Sequence, residues 1–73
     1  MTPEELLNPT PDIIKAARLA VGLTQEQAAE LVRLHNRNRW SEYERGARAP
    51  DWPRWTLFLL LTGQHPKARL IDR

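Results

Sequence analysis

Three glycines and a recurring set of capping residues cut this chain into pieces that suit a bundle of small helices and little else. Thr2-Pro3-Glu4-Glu5 has the form of a capping box with proline at the first helical position, and Thr10 stands before Pro11-Asp12. Thr24-Gln25-Glu26-Gln27 is a second box with Leu23 just ahead of its cap, Asn36 precedes Arg37, and Asp51 precedes Trp52-Pro53. A Thr, Asn or Asp in that place offers a side-chain oxygen to an amide that the first turn leaves unpaired. Gly22, Gly46 and Gly63 stand where such helices would stop, because glycine enters the left-handed C′ conformation without strain. The spacing predicts one helical turn ending near Leu7 before Asn8-Pro9, then helices from Thr10 to Gly22, from Thr24 to near Arg33, from Arg37 to about Arg45, and from Trp52 to Thr62. No internal repeat and no strand-like alternation interrupts them. The expected fold class is all-α, a compact orthogonal bundle of four to five short helices.

Apolar periodicity assigns the inward faces. In the first long helix Asp12, Lys15 and Arg18 mark a polar stripe, and Ile13, Ile14, Ala16, Ala17, Ala20 and Val21 fill the rest. The next helix offers Ala28, Leu31 and Val32; the one after it offers Trp40 and Tyr43, with Arg37, Asn38, Ser41, Glu42 and Arg45 on its other sides. The last helix is apolar around most of its circumference: Trp55, Phe58 and Leu59 form one face, Leu57, Leu60 and Leu61 another. A helix of that kind must be covered on both sides. One face is expected in the core and the other in a two-fold homodimer interface, joined by Leu70 and Ile71. The alternative cover for the second face is the strap of Leu6 and Leu7, or the tail.

At 73 residues the chain is expected to form one domain. A domain of this size buries only about 60% of its unfolded surface, so oligomerisation would help it. There is no cysteine, which excludes disulfides, thiolate metal sites and cysteine nucleophiles. His35 and His65 stand alone, no glycine-rich phosphate loop is present, and Ser41 has no histidine at a suggestive spacing. The residues therefore argue for no metal, no cofactor and no catalysis. Met1 to Leu7 lacks the form of a signal peptide, and Leu57 to Leu61 is too short to cross a membrane. A soluble protein without a membrane partner is expected, in the cytoplasm of a bacterial or phage-infected cell and associated with the nucleoid.

The net charge of +2 conceals a sorting. Residues 1–32 carry Lys15 and Arg18 against five acids, whereas residues 33–54 carry Arg33, Arg37, Arg39, Arg45, Arg48 and Arg54 against Glu42, Glu44 and Asp51. Arginine forks suit phosphates and guanine edges; a solvated basic face is the plain alternative.

Between Leu23 and Gly46 the chain reads LTQEQAAELVRLHNRNRWSEYERG. Two short helices joined by a tight turn, with polar groups on the outer side of the second, is the geometry that lays a recognition helix in a DNA major groove. Ala29 is small enough for the close crossing, and Trp40 and Tyr43 anchor the second helix from behind. On Arg18 four residues before Gly22, Leu23-Thr24-Gln25, Ala29 and Tyr43-Glu44-Arg45-Gly46, the stretch from about Ile13 to Leu61 resembles the Cro/phage-repressor class of helix-turn-helix regulators, also called the xenobiotic-response-element class. The segment WTLFLLLTGQHP is similar to small repressors carried on plasmids and phages.

The resemblance implies a lambda-repressor-like DNA-binding domain over residues 10–63, with the helix-turn-helix at about 24–46, a strap at 1–9 and a tail at 64–73. It implies a structural ion pair between Arg18 and Glu44, and base contacts from Arg37, Asn38 and Ser41, with Glu42 as a further candidate. Gln25 matches a position that meets a phosphate or a base edge. The chemistry of the side chains agrees: Arg37 suits guanine O6/N7, Asn38 adenine N6/N7, and Glu42 cytosine N4. Asn36, Arg39 and Arg45 are expected at the DNA backbone, with Arg48 and Arg33 as outer electrostatic contacts. One departure stands out: between Ala29 and Trp40 there is one residue more than the class usually has, and Arg33-Leu34-His35-Asn36 fills a turn that lacks its glycine.

The expected function is that of an autoregulatory repressor binding double-stranded DNA as a homodimer at an inverted-repeat operator, without a small-molecule effector. Two other readings stand beside it: the antitoxin of a toxin–antitoxin pair, and a protein-interaction module that reuses the fold.

Overall fold

The computed structural model describes residues 2–67. Five helices follow in order: α1 (Pro3–Leu7), α2 (Pro11–Ala20), α3 (Gln25–Leu31), α4 (Arg37–Arg45) and α5 (Trp52–Leu61). Among the described residues there is no strand, and the fold is the all-helical bundle that the caps predict.

Four of the five expected caps close with a side chain. The Thr2, Thr10 and Thr24 hydroxyls accept from the amides of Glu5, Ile13 and Gln27 at 3.2, 3.3 and 3.0 Å, and Asn36 Oδ1 accepts from the amide of Asn38 at 2.9 Å. In both capping boxes the return bond is present, Thr2 N–H to Glu5 Oε1 and Thr24 N–H to Gln27 Oε1. Asp51 departs from expectation: it has the extended backbone of a cap but makes no side-chain cap bond. Pro53 in the first turn has no amide to give, and the Asp51 carboxylate accepts from Arg54 Nη1 instead, at 3.4 Å.

The helix ends share one device. After each of the four longer helices, two successive amides turn back onto carbonyls of the last turn, the Schellman arrangement. In α3 these are Arg33 N–H to Glu30 C=O (3.1 Å) and Leu34 N–H to Ala29 C=O (2.9 Å). The arrangement needs one left-handed residue. Gly22, Gly46 and Gly63 supply it after α2, α4 and α5, and Arg33, at φ +63°, supplies it after α3. Arg33 thus stands in for the missing turn glycine. Helix α3 consequently ends at Leu31, earlier than the spacing predicts, with Val32 as its cap. At Gly46 the fit is also steric, since a Cβ there would lie 3.3 Å from Pro11 Cγ at the start of α2.

The core is Ile14 and Ala17 of α2, Ala28 and Ala29 of α3 with Val32, Trp40 and Tyr43 of α4, and Trp55, Phe58 and Leu59 of α5. Trp40 packs against Tyr43 edge-on and against Phe58, and Phe58 stacks on Trp55 at 5.3 Å. Leu6, Leu7, Leu23, Leu31 and Leu34 close its rim.

Two expectations about faces need correction. In α2 the buried side chains are Ile14, Ala17 and Arg18, while Ala16, Ala20 and Val21 are exposed. Arg18 leaves the polar stripe of Asp12 and Lys15 because Glu44 satisfies its charge inside the fold. In α5 Trp55, Phe58 and Leu59 face inward and Leu57 and Leu61 are exposed, as expected, but Leu60, expected on the outer face, is half-buried. The strap does not cover that outer face. It lies against Trp55, whose indole N–H donates to the Leu6 carbonyl at 2.7 Å. Leu70 and Ile71, expected to join the outer face, lie outside the described residues.

Candidate nucleic-acid interface

Helix α4 is held from behind by size and by charge. Ala28 and Ala29 let α3 approach it closely, and the rings of Trp40 and Tyr43 fill the space beneath it. Glu44, on the inner edge of α4, collects four donors. Arg18 donates to it in a fork, Nε to Oε2 at 2.6 Å and Nη2 to Oε1 at 3.1 Å; Trp40 Nε1 and Gln25 Nε2 donate at 2.5 and 3.2 Å. The remaining arm of Arg18 donates to the Leu23 carbonyl at 2.9 Å. Helices α2, α3 and α4 are therefore pinned to one carboxylate. Burial alone would raise the Glu44 pKa, but the hydrogen bonds from Arg18, Trp40 and Gln25 and the charge of Arg18 outweigh it, and the carboxyl sits below its ordinary range.

The outer side of α4 is differently built. Arg37, Asn38, Ser41 and Arg45 recur at the spacing that lines up side chains along one helix face. Among the described residues none of these four side chains makes a hydrogen bond or ion pair. Arg37, Asn38 and Arg45 are exposed and Ser41 is half-buried. The stripe offers a fork, an amide and a hydroxyl side by side, and an amide or a fork can take two edge atoms of one base at once.

The other expected contact residues divide. Asn36 spends its carbonyl oxygen on the α4 cap. Gln25 lies beside α4, its amide engaged by Glu44. Arg39 and Arg48 both reach Glu42 Oε1, at 3.2 and 3.3 Å, so the structure sets Glu42 beside two arginines and off the free stripe. Arg33 projects from the turn, exposed. Arg54 is not part of the basic surface in the same sense: its Nε donates to the Val32 carbonyl at the end of α3, and its Nη1 to Asp51.

Three ties escape the sequence reading. The Trp40–Glu44 bond had a signal, the four-residue spacing on one helix. The bonds from Gln25 to Glu44 and from Arg54 to Val32 had none, because each joins helices through a group whose position depends on the packed bundle. Among the described residues no cluster of three His, Cys, Asp or Glu side chains forms a metal site, and no helix is long and apolar enough to cross a membrane.

Residues 13–70 match a helix-turn-helix domain family. That span is well over half of the chain, and the chain belongs to this family, a family of DNA-binding regulators. No curated protein and no solved structure matches it significantly.

Proposed function

We propose that this chain is a sequence-specific regulator of the Cro/phage-repressor class, an autoregulatory repressor that binds an inverted-repeat operator as a two-fold homodimer. The observation that carries this reading is the unpartnered stripe of Arg37, Asn38, Ser41 and Arg45 on a helix anchored from behind by Trp40, Tyr43 and Glu44. Arg37, Asn38 and Ser41 read base edges, and Gln25, Asn36, Arg39, Arg45 and Arg48 hold the backbone on either side. The binding unit is residues 10–63, with the motif at about 24–46, the strap at 1–9 and the tail at 64–73. The exposed face of α5, with Leu57 and Leu61 at 36% and 42% of full accessibility, supports pairing of two copies, with Leu60, Leu70 and Ile71 completing the contact. Half-sites then lie about one helical turn, ~34 Å, apart.

That same apolar face favours one other reading, a protein-interaction module that reuses the fold without touching DNA. Selection from a random duplex pool separates the two. A repressor enriches an inverted repeat, and binding weakens steeply with salt, with a slope of about 0.9 per phosphate neutralised. A pool that shows no enrichment at low salt rejects the DNA-reading proposal.

A further inference from the structure

Glu42 pairs with two arginines at once. Its Oε1 accepts from Arg48 Nε at 3.3 Å and lies 3.2 Å from Arg39 Nε in a second ion pair. The two arginines come from opposite ends of the recognition helix, Arg39 from its first turns and Arg48 from beyond Gly46. Both are about half exposed, and the carboxylate is one-third exposed. Neither arginine has another ion-pair partner among the described residues, whereas the free stripe of Arg37, Asn38, Ser41 and Arg45 carries no acid. Two of the arginines assigned to phosphate are thus occupied in the unbound chain, whereas Arg45 and the groups suited to bases are not.

The geometry points to Glu42 as an affinity-setting residue, an internal competitor that must be displaced before Arg39 and Arg48 can grip a phosphate. This rests on the DNA-reading function proposed above. An exposed ion pair is weak, so a phosphate can displace the carboxylate once the helix is seated. A phosphate also receives arginine in a charge-assisted fork. The cost of the exchange is the same on the operator and on random duplex, so it lowers both affinities and leaves the difference between them to the stripe.

The test is Glu42→Gln in the full chain, which keeps size and removes the charge. Binding is measured to the selected operator, to a random duplex of equal length and to immobilised heparin as a sequence-free polyanion. The proposal expects random-duplex affinity to rise roughly 3- to 30-fold, the loss of two exposed pairs, with later elution from heparin. Operator affinity rises by a similar factor, because both duplexes must displace the same carboxylate. In an R39Q/R48Q background the same substitution leaves random-duplex affinity nearly unchanged, since the arginines it releases are absent. Three outcomes overturn the proposal: an equal gain in that background, which makes the effect one of net charge; weaker binding to both duplexes, which makes Glu42 a preorganising residue; or a changed preference at one base pair, which makes it a base reader. The heparin arm needs no operator. If the unaltered chain binds no duplex selectively while E42Q still elutes later in a manner dependent on Arg39 and Arg48, the function proposed above fails and the competition itself stands.

Discussion

Arg33 holds a backbone conformation that its side chain opposes. A β-carbon at φ +63° crowds the following carbonyl, at a cost of about 1–2 kcal/mol, and three other helices in this chain use glycine for the same duty. Arg33→Gly is therefore expected to raise the urea midpoint of unfolding, with a gain of up to about 1 kcal/mol once the added freedom of the unfolded chain is counted. If Arg33 is an outer phosphate contact, the same substitution lowers DNA affinity and reduces the salt slope by about 0.9. A variant that is more stable and binds unchanged would show that the arginine serves neither purpose. Glu44 presents the opposite balance, a buried charge with every partner in place. Its folded pKa lies below the ordinary 4.5, so its contribution to stability is complete above 4.5 and is lost as pH falls through the folded value. Denaturant titrations from neutral pH to below 4.5 should show this loss, and Glu44→Gln should flatten it. Removing the charge also strands Arg18, with a cost of about 3–5 kcal/mol at neutral pH.

At the scale of the helix, α4 separates into a side that is held and a side that is offered. Arg37 lies on the offered side, and Arg37→Ala should relax preference at a single base pair by about 1–3 kcal/mol while leaving the unfolding midpoint in place. A uniform loss across all sequences would make Arg37 a phosphate contact. The helices themselves are legible in the sequence because their limits are local: Thr2, Thr10, Thr24 and Asn36 reach amides two or three residues away. The free stripe is legible for the same reason, since it follows from helical spacing once Trp40 and Tyr43 mark the inner side. What local pattern does not carry is any decision made by a distant partner. Arg18 looks like part of a solvated stripe until Glu44, 26 residues on, draws it inward. The ion pair of Glu42 depends likewise on Arg48, which arrives from beyond the helix. Asp51 looks like a cap, and Pro53 and Arg54 redirect it. The family resemblance supplies the Arg18–Glu44 pairing but says nothing of the donation from Trp40.

Across the whole molecule, the unresolved surface energy lies on α5. Leu57 and Leu61 are exposed on a helix whose opposite side is the floor of the core. If that outer side is the dimer contact, Leu57→Glu should shift sedimentation at micromolar concentration from dimer to monomer. It should also weaken a full operator far more than an isolated half-site, with the thermal midpoint of the monomer little changed. An unaltered chain that sediments as a monomer in the absence of DNA would refute preformed pairing. The core that α5 completes has a further consequence, in the order in which the parts become available. The indole of Trp55 closes on Leu6, 49 residues earlier, and the amide of Gln64 closes on Ala17, 47 residues earlier. During synthesis the whole reading helix is therefore made while Trp40 still lacks Phe58 to rest on. Ribosome-stalled chains ending before Phe58 should be cut readily by protease, and those with Gln64 well clear of the exit should resist. A growing chain would thus lack a fully supported α4 until the residues up to Gln64 had emerged.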